Sequence, residues 1–350
     1  MTESEKLIPA EKIKEFVKKI LFKAGVREDV LCNVAEGLIQ ASLRGIDSHG
    51  IRLLPHYVKG VEAGRINPNP NISFRKTSLS TGKLDGDHTF GHAAGVEGMN
   101  KAIELAKEAG TGHVAVYNSS HFGVAAFFAL LAARQDMIGM SFTNSTPHVL
   151  TTGSNRAFFG NNPICFVAPC DGEEPFCLDM ATSAITFNKV LQFKQEGISL
   201  PQNTVADANG NPTTNPESVK YLLPIGDYKG YGLSMMVDIL CSLLSGMPSG
   251  INVSEMYSDK MGERRYLGHY FVALRIDCFE EISVFKKRMA EMMKALRSEP
   301  RRDKNISVQV PGDPEKRIAK IRMKEGIPIS RQLLDKLGQI SKEYNVDFEV

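Results

Sequence analysis

Gly110-Thr111-Gly112-His113-Val114-Ala115 is the one stretch of this chain with the glycine spacing of a dinucleotide-binding turn, and its surroundings run backwards. In such a turn a strand leads into the glycines and a helix follows, so that amides at the helix start meet a pyrophosphate. Here a helix-spaced run, Ala93 to Ala109, comes before the glycines, and the strand-like His113 to Tyr117 comes after. That order excludes a Rossmann fingerprint. The chain also lacks a Walker-type phosphate loop, a His-Glu-x-x-His pair and any Cys/His spacing suited to zinc.

Upstream, Ile13, Phe16, Val17, Ile20 and Leu21 recur at three- and four-residue spacing between Pro9 and Gly25, which predicts a helix. Val30, Val34, Leu38 and Ala41 predict a second, and a third runs from near Leu53 to Gly64. From Ile72 the pattern changes. Strand-like runs at 79–84, 113–117, 138–142, 164–168 and 271–276 are separated by helix candidates at 93–109, 124–134, 229–244 and 282–296. Asp207 to Pro216 is dense in turn formers and reads as a surface loop. Leu333, Leu334, Leu337 and Ile340 mark a docking helix near the end. The expected organisation is a helical part over 1–70, with 330–350 packing on it, and an α/β core over 71–329.

The chain has 350 residues, 42% hydrophobic and 23% charged, which is an ordinary folded composition. A net charge of +2 gives no field suited to nucleic acid or an acidic membrane. The basic run Arg297 to Lys304 is broken by Glu299 and Asp303 and reads as a solvated helix end. The apolar stretches 123–133 and 232–246 are shorter than the roughly 18 to 20 residues that cross a bilayer. Six cysteines without a Cys-x-x-Cys pair read as reduced and structural, and the Thr2-Glu3-Ser4-Glu5 opening has no secretory pattern, so a cytoplasmic location is expected.

Four clusters carry chemistry. Asp47-Ser48-His49-Gly50-Ile51-Arg52 places ionisable groups on a glycine-flanked turn where a carboxylate can be bound, and it also fits a turn in which Asp47 or Ser48 caps the next helix. In Asn118-Ser119-Ser120-His121-Phe122-Gly123, His121 stands between a strand and a helix, a usual crevice position, or else serves as a structural donor. Gly160-Asn161-Asn162-Pro163 and Leu178-Asp179-Met180-Ala181-Thr182-Ser183 offer hydroxyls and an aspartate to a ribose or phosphate, or form plain strand-end turns. Tyr228-Lys229-Gly230-Tyr231-Gly232 opens a helix with free amides and a cation, as an anion site or for packing.

Taken in order with Val310-Pro311-Gly312-Asp313, these motifs resemble the malate/L-lactate dehydrogenase family of the sulfolactate dehydrogenase-like type, which includes ureidoglycolate dehydrogenase. The resemblance implies a non-Rossmann NAD(P)-binding sheet domain with an N-terminal helical substrate-side domain, a homodimer, and NAD or NADP as cofactor with no metal. It implies an oxidoreductase that interconverts a small 2-hydroxy acid and its 2-oxo acid, of malate, lactate, sulfolactate or ureidoglycolate type. His121 and His49 would be the active-site histidines, and Ser48 and Arg52 would flank the substrate carboxylate. Ser145, Asp179, Met180, Ala181, Thr182, Ser183, Lys229, Gly230, Pro311 and Gly312 would line the cofactor. Asn188 stands where many relatives have glycine. The stretch Ser254 to Asp259 is most similar to the ureidoglycolate branch. Reduction of a cyclic imine, or binding without catalysis, are the competing readings of the same residues.

Overall fold

The apolar spacing of the first two segments produces helices Ala10–Lys23 and Glu28–Leu43, which bury Ile13, Phe16, Val17, Ile20 and Leu21 against Val30, Val34, Leu38 and Ile39. The computed structural model describes residues 5–257 and 260–348. A third helix, Leu54–Glu62, starts with Pro55 in its first turn, where a missing amide hydrogen costs nothing. The two ends of the chain meet here. Strand Lys6–Ile8 pairs antiparallel with Ile327–Ile329, and helix Arg331–Glu343, capped by the Ser330 hydroxyl, adds Leu337 and Ile340 to the same apolar cluster. Helix Asp313–Glu325 reaches this unit through Arg322, which binds the Ser42 carbonyl and the Asp47 carboxylate.

The second unit is a sheet of seven strands, in the spatial order Ser73–Lys76, Thr81–Asp85, Thr111–Ser119, Leu267–Arg275, Met137–Thr143, Ile164–Ala168, Phe176–Met180. Only Thr81–Asp85 and Thr111–Ser119 run parallel, bridged by helix Gly91–Ala109, and the other pairings are antiparallel. The α/β expectation holds, with a mostly antiparallel sheet. Helices Gly91–Ala109 and Ala126–Ala133 cover one face over a core that includes Phe122, Phe128, Val116 and Phe271. A Cβ on Gly112 would stand 1.9 Å from the Ala102 carbonyl oxygen. The glycine of the reversed motif therefore serves close helix-on-sheet packing.

The other face carries helix Tyr228–Asp238, which widens into a π-helical turn over Ile239–Leu243 above Val272 and Phe142. A Cβ on Gly268, in the central strand, would come within 1.7 Å of the Cys241 carbonyl oxygen, so only glycine lets this turn lie down. A smaller sheet of five short strands stands beside it. The turn-rich 207–216 segment contains the tip of its hairpin, residues 207–211 between Val205–Ala206 and Pro212–Thr213, with Asp207 accepting from the amides of Asn209 and Asn211. The six cysteines are free, and no described helix is long and apolar enough to cross a membrane. The basic run is a solvated helix end and loop, with Ser298 to Lys304 exposed and only Arg297 partly covered. Arg297 ends helix Ile282–Arg297 and is held by Glu173 and Asp313.

Candidate active site

Asp47 does not cap a helix, because Arg322 takes its carboxylate at 2.6 and 2.9 Å, and Ser48 does not cap one either. The Ser48 hydroxyl shares a hydrogen bond of 2.7 Å with His49 Nδ1. His121 follows the strand that ends at Ser119, and its ring stacks on that of His49 with centroids 5.5 Å apart. Its Nδ1 shares a 2.8 Å hydrogen bond with the hydroxyl of Tyr57, a fully buried side chain on helix Leu54–Glu62. The structure therefore brings the two histidine motifs, more than seventy residues apart, into one group.

Burial holds this group neutral. It pushes His121 well below the ordinary histidine value of 6.5, with the neighbouring rings and Arg265 adding to the effect. Burial, then the Arg52 charge, brings His49 to about 4. His92, beneath Tyr57, and His269, held by Thr143 and Ser119, lie at 1% and 0% exposure and fall to about 3 through burial. Such groups bind protons more readily unfolded than folded, so stability is complete above pH 6.5 and is lost as pH falls from 6.5 toward 3. Each of the two deep rings removes about 2 kcal/mol between pH 7 and pH 5. Asp179, raised to about 6 mainly by burial, opposes this in part. Thermal unfolding is expected at a distinctly lower temperature at pH 5 than at pH 7, and an unchanged midpoint would contradict the neutral cluster.

Arg265 was not singled out by sequence. It is 4% exposed, donates to Ser254 and Thr146, and has no carboxylate partner among the described residues. Burial lowers it to about 10, which leaves it cationic at neutral pH. Its charge acts on His121, His56 and Tyr57. Arg52 stands on the open side, in a cleft of about 960 Å³ with His56, Tyr257 and Asn188, whose side-chain oxygen lies 3.5 Å from its guanidinium. Ser258 and Asp259, part of the stretch compared with the ureidoglycolate branch, lie outside the described residues.

Hydrogen bonds link several of the other motifs to one another. The Ser145 amide binds Asn162, whose side-chain amide donates to the Ser234 carbonyl. The Thr182 hydroxyl meets Ser234 at 2.6 Å and the Asn161 carbonyl at 2.7 Å, and Ser183 binds the Ile185 carbonyl. Buried Gly230 passes so close to Ile225 that a Cβ would stand 2.0 Å from its carbonyl oxygen, while Lys229 next to it is exposed. Asp179 accepts from the Ala126 amide, five residues beyond His121, and with Met180 and Ala181 leads from the last strand to Thr182. Pro311 and Gly312 face this strand, the Cys177 amide donating to the Pro311 carbonyl. Together with Arg44, Asp179 and Glu315 they line a cleft of about 380 Å³. That volume, an aspartate with one oxygen free of described partners and a side-chain-free Gly312 suit part of a dinucleotide. Among the described residues no cluster of three or more His, Cys, Asp or Glu is set to hold a metal.

The family model for malate/L-lactate dehydrogenase matches residues 8–338. The chain belongs to that family of hydroxy-acid dehydrogenases. It is 38% identical to a malate dehydrogenase of Pyrococcus abyssi over 97% of this chain and 95% of that one. It is 34% identical to the ureidoglycolate dehydrogenase (NAD(+)) of Escherichia coli O157:H7 over 83% and 82% of the two chains. The crystal structure of malate dehydrogenase from Entamoeba histolytica superimposes with a TM-score of 0.93 at 31% identity, covering 99% and 100%. Identity to the malate enzyme is higher, and over a longer span, than to the ureidoglycolate enzyme that Ser254 to Asp259 favoured.

Proposed function

We propose that this dehydrogenase interconverts a 2-hydroxy acid carrying a second acidic group with its 2-oxo acid, using His121 as the proton donor and acceptor. The observation that carries this is the neutral His121, fixed by Tyr57 and set with a buried cation that has no carboxylate of its own, Arg265. The family implies a nicotinamide dinucleotide, NAD or NADP, which supplies and accepts the hydride when bound. Ser145, Asp179 to Ser183, Lys229, Gly230, Pro311 and Gly312 are the residues that would hold it.

A neutral imidazole takes the substrate's hydroxyl proton as the carbonyl forms and returns it in the other direction. Tyr57 fixes the ring through Nδ1, which leaves Nε2 for the proton. His49, oriented by Ser48, hydrogen-bonds the reacting oxygen. Arg265 binds the carboxylate next to the reacting carbon, because a desolvated guanidinium without an internal anion gains most from one. Arg52 in the open cleft meets the second acidic group. Reduced cysteines suit a cytoplasmic location and the resemblance carries a homodimer, both part of the same reading.

The test follows NADH and NADPH oxidation with oxaloacetate, sulfopyruvate, pyruvate, the oxidised form of ureidoglycolate and piperideine-2-carboxylate. The two substrates with a second acidic group are expected to give the highest kcat/KM. Preference for the cyclic imine would replace this reading, and silence across the panel would leave a binding protein.

A further inference from the structure

The cleft at Asp179 has an uneven supply of charge, because Arg44, Lys316 and Arg297 each already face a carboxylate of the protein. Arg44 is paired with Glu174 through one Nη at 2.8 Å, while its buried Nε has no hydrogen-bond partner among the described residues. Lys316, 7% exposed, donates to the Glu174 carbonyl and lies 3.7 Å from Glu173. Arg297 is shared between Glu173 and Asp313. The carboxylates lining the cleft are not balanced in this way. Glu315 has neither an ion pair nor a hydrogen bond to another described residue, and Asp179 has only the Ala126 amide.

The helix that begins at Asp313 would ordinarily attract a phosphate to its free amides. Asp313 already turns back on the Val310 amide, and Glu315 adds a second negative charge in the first turn. The positive end of the helix is therefore met from within. A ribose diol donates hydrogen bonds to free carboxylates, whereas a 2′-phosphate would bring nearly two further negative charges against them.

We infer that this cleft selects an unphosphorylated ribose, and hence NAD(H) over NADP(H), with Glu315 as the discriminating side chain beside Asp179. The inference rests on the assignment of the cleft to the cofactor made above, and it names which cofactor the protein takes.

Binding of NADH and of NADPH to the whole protein, followed by cofactor fluorescence, and kcat/KM for each with one 2-oxo acid test it. The wild type should favour NADH by about tenfold or more, the scale of one unscreened charge contact. Glu315→Arg should move the ratio toward NADPH by about tenfold, and Glu315→Gln should move it part of the way. Thermal unfolding of each variant confirms that it is folded. A wild type that takes NADPH as well as NADH overturns the inference, as does a ratio unmoved in Glu315→Arg. If NADH binds the wild type and both Asp179→Asn and Glu315→Arg leave each Kd unchanged, the cleft is not the cofactor site and the underlying assignment falls. If Asp179→Asn weakens both cofactors while Glu315→Arg leaves their ratio alone, only the inference falls.

Discussion

Replacing His121 by glutamine should lower kcat by about 10² to 10⁴ at saturating substrate and cofactor, the usual contribution of a positioned acid/base group. Glutamine keeps the approximate size and one hydrogen bond toward Tyr57 but cannot take up a proton. Cofactor binding should survive, because the groups that line the Asp179 cleft do not include His121. His49→Gln should cost less, since the hydrogen bond that holds His49 among the described residues comes from its neighbour Ser48, while His121 is locked by a buried tyrosine on helix Leu54–Glu62. Tyr57→Phe should fall between them by releasing the His121 ring. In the direction of oxidation, activity should hold on the acid side of pH 6.5 further than an ordinary histidine allows, because His121 stays neutral there. Near-normal turnover in His121→Gln would remove the mechanism. A larger loss in His49→Gln would instead exchange the two roles.

Much of the scaffold was readable because its signals are local. The strand Ile164–Ala168 coincides with its predicted limits, and the helix expected over 93–109 is observed over Gly91–Ala109, ending at Gly110 with a φ of 82°. Periodicity and glycine report on neighbours in the chain, and here the neighbours decide. Strand order is not local. Leu267–Arg275 enters the middle of the sheet from late in the sequence, and nothing in its own pattern shows that its partners end at Ser119 and Thr143. The π-helical turn at Ile239–Leu243 was hidden inside a continuous apolar run.

At the site, the residue types at Ser48, His49, Thr182 and Gly230 were legible but their partners were not. Asp47 fits a cap in one dimension and pairs with Arg322 in three. Tyr57 reads as one more apolar position of a helix until its hydroxyl is seen on His121. Arg264 and Arg265 are adjacent identical residues, and only burial distinguishes them.

Arg265→Leu separates what that burial does for the fold from what it does for the substrate. A guanidinium at 4% exposure with no carboxylate partner among the described residues carries a desolvation cost that its bonds to Ser254 and Thr146 offset only in part. An apolar residue of smaller volume removes that cost and leaves three acceptors to find other donors. The two changes oppose each other, so the unfolding temperature should move little. The substrate has no such compensation. Losing a desolvated, charge-assisted contact to a carboxylate typically costs about 2 to 5 kcal/mol, or roughly 30- to several-thousand-fold in kcat/KM for the 2-oxo acid. Arg265→Lys should recover little of it, since one ammonium cannot hold Ser254 and Thr146 and still present a second nitrogen to a carboxylate. The acid limb of the pH profile should also move upward in Arg265→Leu, because the cation that helps to keep His121 unprotonated is gone. A folded Arg265→Leu protein with unchanged kcat/KM and an unmoved pH profile would show that this cation serves only the fold, and the carboxylate would then have to be bound by Arg52 alone.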